Sequence, residues 1–234
     1  MTLISSISGI RGTVNGLNSQ NLTPIDVVKY ASAYGSWINN KNDGKPKTIV
    51  LGRDGRISGQ TILELVKSTL ISMGINIIDT GLSTTPTTQI IIQERRADGG
   101  IILTASHNPK NWNALKLFNS NGEFLSGKQA TEIFNIVEVG EFKFKKEDDY
   151  GKLTILNDAF KIHIDEVKKL NIINLEGIKN KKFTVVVDGI NSSGGIIIPQ
   201  LLHELGVSTV QINCNPDGNF SHNPEPLDKN LSEL

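Results

Sequence analysis

Apolar residues follow two different periods along the chain from Lys47 onward. Short apolar runs of the kind that form buried strands alternate with segments whose apolar residues recur every three or four positions, as in an amphipathic helix. The runs predict strands at 48–51, 75–78, 100–103, 183–187 and 207–212, with a further candidate at 115–118. The amphipathic segments predict helices at 59–73, 85–96, 127–137, 157–170 and 193–205. This alternation indicates an α/β fold in which helices cross over between the strands of mixed sheets.

Local signals mark the ends of these helices. Ser58 is well suited to cap the helix at 59–73 through its side chain, and Gly74 would end that helix. Gly206 would end the helix at 193–205 in the same way. The predicted boundaries therefore rest on residue chemistry as well as on periodicity.

A charged segment divides the predicted elements into two groups. Residues 138–151 are rich in Glu, Asp and Lys, which predicts a solvated connection. A chain of 234 residues accommodates two modest domains. We therefore expect a first α/β domain at 1–150 and a second at 151–234. Few residues follow the last predicted strand, so the second domain is predicted to be truncated.

The composition narrows the class of protein. Lys plus Arg number 24, as do Asp plus Glu, so the formal charge is zero and implies no general attraction to nucleic acid or to a membrane surface. Any phosphate affinity must therefore be local. Cys214 is the single cysteine, which excludes an internal disulfide framework and suits a reducing compartment. The apolar runs are too short to span a membrane, so we expect a cytoplasmic protein. The sequence carries no signature of an oligomeric state.

The run Thr104–Pro109 directly follows the predicted strand at 100–103 and places a serine hydroxyl beside an imidazole. Open α/β sheets bind their ligands at the carboxyl ends of strands, so Ser106 is the strongest candidate for a reactive group. An unassisted serine hydroxyl is a poor nucleophile and needs a base, a cation or both. The candidates for this cationic surround are His107, Lys116, Arg11 and Arg53.

The same residues carry a family resemblance. Thr-Ala-Ser-His-Asn-Pro at 104–109, followed by Asn-Ala-Leu-Lys at 113–116, resembles the phosphoserine loop of the α-D-phosphohexomutases. Gly-Ile-Arg-Gly at 9–12 and Gly-Arg-Asp-Gly-Arg-Ile-Ser at 52–58 resemble two further segments of that family. Ala114 stands where the family usually has glycine. The resemblance covers essentially the whole chain, but only about the first half of a family member.

The resemblance implies a mutase that interconverts hexose 1-phosphate and hexose 6-phosphate. Ser106 would hold a phosphoryl group and exchange it with the sugar through a hexose bisphosphate, with His107 and Lys116 as catalytic partners. Lys116 would act as a general acid/base or as a fixed positive charge. Binding of phosphate or substrate would fall to Arg11, Arg53, Asn108 and Asn113. The sugar would be the phosphate of glucosamine, mannose or glucose.

The resemblance also implies Mg²⁺, with Ser106 as a ligand through its phosphate. Magnesium needs several oxygen ligands. The family supplies them from a cluster of aspartates that is absent from this sequence. Family order would place that loop after Leu234. We therefore expect this chain to be a fragment that is inactive alone.

Other interpretations of these residues are open. Thr104–Pro109 could be an ordinary turn, and Arg53 with Asp54 could brace a loop while Ser58 caps a helix. Ser106 and His107 could belong to a serine-dependent hydrolase, although no Gly-x-Ser-x-Gly elbow is present. The chain could also be a non-catalytic module that binds sugar phosphate or protein.

Overall fold

The predicted alternation of strands and helices is realised in the computed structural model, which describes residues 2–40 and 44–234. The strands are β1 (Ile4–Ser6), β2 (Gly9–Thr13), β3 (Thr48–Arg53), β4 (Asn76–Leu82), β5 (Gly99–Leu103), β6 (Trp112–Phe118), β7 (Leu153–Ile155), β8 (Thr184–Asp188) and β9 (Ser208–Ile212). The helices are α1 (Pro24–Asn39), α2 (Gly59–Ser72), α3 (Thr85–Glu94), α4 (Gly127–Val139), α5 (Ala159–Lys168), α6 (Leu175–Lys181) and α7 (Gly194–Glu204).

Seven strands form one mixed sheet in the order β1-β2-β6-β5-β3-β4-β7. Strand β3 runs parallel to both β4 and β5, whereas β6 is antiparallel to β5 and to β2. The predicted α/β fold with a mixed sheet is thereby confirmed. In the second unit the described strands are the parallel pair β8 and β9, which α7 joins as the predicted crossover helix.

Helices cover both faces of the large sheet. On one face α1, α2 and α4 bury side chains such as Tyr34, Leu70 and Ile133 in a common core. On the other face Ile91 of α3 and Ala159 of α5 pack in a second cluster. This three-layer arrangement lets the central strands bury both of their faces. None of the helices in the described residues is both long and apolar enough to cross a membrane.

Three elements near the amino terminus escaped the sequence prediction. The β1–β2 hairpin pairs with β6, and β6 begins at Trp112 rather than at the predicted Leu115. Thr23 caps helix α1, and its side chain and that of Asp26 form a reciprocal capping box. These elements complete the sheet and one of its covering layers.

The predicted capping role of Ser58 is wrong. Ser58 stands at the amino end of α2, but its backbone is already helical and its side chain makes no capping hydrogen bond. Its hydroxyl oxygen instead accepts a hydrogen bond from Nδ2 of Asn113 at 2.9 Å. Ser58 therefore ties the start of α2 to β6.

The charged segment at 138–151 is exposed along almost all of its length. The large sheet continues past it, because β7 pairs in parallel with β4 and Ala159 packs in the second core cluster. The division of the chain into domains at residue 150 remains a prediction. The packing shows that residues as far as α5 contribute to the first unit.

Candidate active site

Ser106 lies in an exposed turn directly beyond β5. We call residues 104–112 the serine loop. Every residue of β5 is buried, whereas Ser106 and His107 are exposed. The backbone of Ser106 has φ +55°, a left-handed conformation that is strained for a residue with a side chain. Its N–H donates to Oγ1 of Thr104 at 3.1 Å, which helps to hold that conformation.

Arg56 holds the serine loop from the interior. Its Nη2 donates to the carbonyl oxygens of Ser106 and Asn108 at 2.9 and 2.8 Å. Its Nη1 donates to the carbonyl oxygens of Pro109 and Trp112 at 2.7 and 2.9 Å. The residue is 1% exposed. One buried guanidinium thus fixes the backbone on both sides of the serine. Sequence reasoning quoted this arginine within a motif but assigned it no role.

Asp54 is the ionic partner of Arg56. Nε of Arg56 donates to Oδ2 of Asp54 at 3.1 Å, and the backbone N–H of Arg56 donates to Oδ1 at 3.0 Å. Burial raises the pKa of Asp54, and Arg56 and Thr104 oppose that rise. Burial also lowers the pKa of Arg56, and the charge of Asp54 opposes that decrease. Arg53 also bonds Asp54, but at its carbonyl oxygen, whereas the carboxylate binds Arg56.

Lys116 and Arg11 share one face of the sheet. Arg11 lies opposite Ala114 in the β2–β6 ladder, and Lys116 follows Ala114 by two residues, so both side chains project to the same side. Ile102 of β5 lies opposite Lys116 on that face. The buried Nε of Arg11 has no hydrogen-bond partner within the described residues. A free donor of this kind is available to an anion.

The amine of Lys116 is half-buried and forms no ion pair within the described part of the chain. It lies 5.9 Å from the ring centre of Phe124. Burial lowers the pKa of Lys116; Arg11 and Arg56 add to this effect, and Asp54 opposes it. Burial and neighbouring positive charge both disfavour the ammonium form, so Lys116 gives up its proton more readily than an exposed lysine.

Arg53 braces the neighbouring loop. Its Nε donates to Oε1 of Gln60 and its Nη1 to the carbonyl oxygen of Asp54, each at 3.1 Å. Asn113 is fully buried, and its side-chain oxygen accepts from the N–H of Ala114 at 2.8 Å. It lies an odd number of positions from Lys116 and therefore on the opposite face of β6. The structure does not bring Asn113 to the site around Ser106.

His107 and Asn108 complete the set of predicted site residues. His107 is exposed and makes no hydrogen bond within the described ranges, so the Ser106–His107 adjacency in sequence does not become a bonded nucleophile–base pair. Asn108 contributes its backbone, since its N–H donates to Ala105 and its carbonyl oxygen accepts from Arg56. The serine loop therefore exposes the side chains of Ser106 and His107 to solvent, while hydrogen bonds hold its main chain in place.

A cleft of about 280 Å³ separates Ser106 from the second unit. Asp54, Thr104 and Ser106 line one wall, and Asp188 and Ser193 line the other. Nearby, the N–H of Gly55 donates to Oγ of Ser192 at 2.9 Å. The serine thus faces an interface to which both units contribute.

The described residues do not by themselves fit a magnesium ion. Across 2–40 and 44–234 no group of three or more His, Cys, Asp or Glu side chains could hold a metal. Mg²⁺ prefers near-octahedral oxygen coordination, which Ser106 alone does not supply.

Comparisons with known proteins identify the family of this chain. Residues 4–144 match the model of α/β/α domain I of phosphoglucomutase/phosphomannomutase, and residues 161–234 match that of domain II. The matches cover most of the chain, which therefore belongs to the phosphoglucomutase/phosphomannomutase family. The resemblance to the phosphohexomutases is confirmed.

Individual relatives carry names from the same family. A Thermococcus kodakarensis protein named phosphoglucomutase/phosphomannomutase is 35% identical over 219 residues, covering 93% of this chain and 47% of the relative. A second protein of that organism, named "Probable phosphoglucosamine mutase", is 35% identical over 227 residues, covering 97% of this chain and 47% of the relative. The chain spans about half the length of the curated relatives it matches.

Solved structures share the fold. A crystal structure of a candidate phosphomannomutase from Thermus thermophilus matches with a TM-score of 0.84 at 22% identity, covering 100% of this chain and 51% of that one. A family protein from Burkholderia thailandensis matches with a TM-score of 0.74 at 22% identity, covering 100% and 50%. The α/β architecture is therefore that of solved members.

Proposed function

We propose that this chain supplies the phosphoryl-carrying part of a phosphohexomutase, which interconverts hexose 1-phosphate and hexose 6-phosphate. One observation carries the proposal. Ser106 stands exposed and strained at a cleft, on a loop whose backbone is fixed by a buried arginine. An arginine with a free buried donor and a lysine prone to lose its proton lie on the adjoining sheet face. Phosphoryl transfer depends mainly on such positioning and charge neutralisation.

The reaction begins with a phosphoryl group on Ser106. The free hydroxyl of a hexose phosphate attacks that phosphorus, the bond to the serine oxygen breaks, and a new P–O bond forms to the sugar. Lys116, in its neutral form, takes the proton of the attacking hydroxyl and passes it to the freed oxygen of Ser106. Arg11 neutralises charge on the transferring oxygens. The resulting hexose bisphosphate turns over, and the hydroxyl of Ser106 attacks its other phosphoryl group. Lys116 takes the serine proton and gives it to the freed sugar oxygen.

The remaining predicted residues have supporting roles in this proposal. Exposed His107 faces incoming substrate beside the serine, and Arg53 adds positive charge at the end of β3. Asn108 shapes the loop. Asn113 has no direct role in phosphate binding here, because its contacts are buried ones to Ser58 and Ala114.

The other elements of the proposal follow from the family. Mg²⁺ would be held in part by the phosphate on Ser106 and would neutralise charge on that phosphate. The substrate is a phosphate of glucosamine, mannose or glucose, and the relatives carry names from each of these activities. In this proposal the chain alone, which spans about half the length of its curated relatives, does not turn over substrate.

Mass spectrometry of the intact protein tests the proposal. After incubation with glucose 1,6-bisphosphate, peptide mapping is expected to find one phosphoryl group on Ser106. The Ser106→Ala variant should acquire none and should lose conversion of hexose 1-phosphate to hexose 6-phosphate. The matched variant Ser120→Ala, at another exposed serine, should behave as the wild type.

Three other results would contradict the proposal. Release of inorganic phosphate without isomerised sugar would indicate a hydrolase. Binding of sugar phosphate with no turnover in the intact protein would indicate a non-catalytic module. Undiminished isomerisation by Ser106→Ala would remove the serine from the reaction.

A further inference from the structure

The guanidinium of Arg56 has no donor left for a ligand. Nη1 and Nη2 each donate twice to carbonyl oxygens of the serine loop, and Nε donates to Asp54. Every N–H of the group is thereby used. Arg56 therefore affects a bound phosphate through the geometry of the serine loop rather than by direct contact.

The second unit covers this guanidinium with an aromatic ring. Cζ of Arg56 lies 5.1 Å from the ring centre of Phe220, within the range of a cation–π contact. Arg56 is 1% exposed with this ring in place. Phe220 is thus the point at which the second unit reaches the group that holds Ser106.

The segment that carries Phe220 is docked firmly in this position. We call residues 213–223 the clasp segment. Its Gly218 has φ +76°, and a Cβ there would lie 2.1 Å from the carbonyl oxygen of Gly55. The N–H of Gly218 donates to the carbonyl oxygen of Asn191 at 3.0 Å. At the other end of the segment, Nε2 of His222 lies 2.7 Å from Oδ2 of Asp188. The close approach of Gly218 to Gly55 therefore holds the clasp segment against the first unit, and the His222–Asp188 pair holds the end of the segment within the second unit.

We propose that Phe220 is a positioning residue that acts through Arg56, so that the second unit sets the geometry of the serine loop in the first. The ring stabilises the buried cation, and the cation stabilises the carbonyl arrangement that exposes Ser106. The expected effect of Phe220 on phosphoryl transfer rests on the function proposed above, whereas its expected effect on the order of the serine loop is independent of that function.

The decisive comparison is Phe220→Leu with Phe220→Tyr in the intact protein. Leucine keeps an apolar side chain but removes the aromatic face, whereas tyrosine keeps that face. Phe144→Leu, at an exposed phenylalanine of the charged connection, is the matched control. Hydrogen exchange is followed at the amides of Ser106, Asn108 and Trp112, each of which donates within the serine loop. The initial rate of phosphoryl transfer from glucose 1,6-bisphosphate to Ser106 is measured alongside.

We expect Phe220→Leu to speed exchange at these amides and to slow phosphoryl transfer, each on the order of tenfold, with little change in KM. Phe220→Tyr should restore both, and Phe144→Leu should change neither. Unchanged exchange in Phe220→Leu, or an equal effect of leucine and tyrosine, would overturn the proposal. If the wild type takes up no phosphoryl group, the proposed function fails, and the exchange comparison still decides the role of Phe220.

Discussion

Strands β5 and β8 have similar apolar sequences and very different surroundings. All five residues of β5 are buried, whereas Val187 is the single buried residue of β8. β5 lies between β3 and β6 with helices on both faces, while the described neighbour of β8 is β9 alone. Val186 and Val210 are 44% and 50% exposed. The comparison teaches that an apolar run is enough to form a strand. The elements that pack around the strand decide how much it stabilises the fold.

The site follows the same division. The first unit supplies Ser106, its backbone support and the cations from a well-packed interior. The second unit contributes a less buried wall and the clasp segment. We therefore expect substitutions that loosen the serine loop from inside the first unit to lower the free energy of unfolding most. Substitutions closer to the second unit should lower it less.

The largest effect is expected from Arg56→Met. Removing the guanidinium leaves Asp54 as a buried charge without its partner, which typically costs about 3–5 kcal/mol in the free energy of unfolding. Both tryptophans of the chain, Trp37 and Trp112, lie in the first unit, so urea unfolding followed by fluorescence reports on that unit. Arg53→Met is the matched control, because half-buried Arg53 has weaker contacts and should cost about 1 kcal/mol or less. Equal losses would refute the distinction between the two arginines.

A smaller difference in the free energy of unfolding is expected between two truncations of apolar strand residues. Leu51→Ala empties a fully buried position on β3 and should lower the free energy of unfolding by about 2–5 kcal/mol. Val210→Ala removes a half-exposed side chain of β9 and should cost less than about 1 kcal/mol. Urea unfolding measures the first, and amide exchange of β8 and β9 measures the second. A larger cost at Val210 would show that another surface buries β9 in solution.

The sequence was sufficient for the strand–helix alternation and for the exposed position of Ser106. Both follow from local periodicity and from a polar turn after an apolar strand. Helix α1 also had a readable signal, because Thr23, Pro24 and Asp26 form the start of a capped helix.

Other features depended on contacts between distant residues. Strand β2 contains a single large apolar side chain, Ile10, so periodicity alone does not reveal that it pairs with β6 and brings Arg11 beside Lys116. The motif at 52–58 contains two arginines, and only packing distinguishes buried Arg56 from half-buried Arg53. Tertiary pairing decides such roles, and no local pattern encodes them.

The pair between His222 and Asp188 gives the smallest and most local effect. Nδ1 of His222 faces the carbonyl oxygen of Asn223 at 2.9 Å, and Nε2 faces the Asp188 carboxylate. Both partners are acceptors, which favours the form of the ring that is protonated on both nitrogens and carries a positive charge. These two hydrogen bonds raise the pKa of His222. Burial raises the pKa of Asp188, but hydrogen bonds, that of His222 foremost, outweigh it and leave the pKa below its ordinary value.

The signs of these shifts define a pH window for the clasp segment. The contribution of His222 to stability is complete below about pH 6.5 and is lost as the pH rises through its higher folded pKa. That of Asp188 is complete above about pH 3.9 and is lost as the pH falls through its lower folded pKa. An NMR titration should therefore show the His222 ring with a pKa above its ordinary value, falling toward that value in Asp188→Asn. An unchanged titration in the variant would show that the pair does not hold the clasp segment, and the link from the second unit to Arg56 would then rest on Gly218 and Phe220 alone.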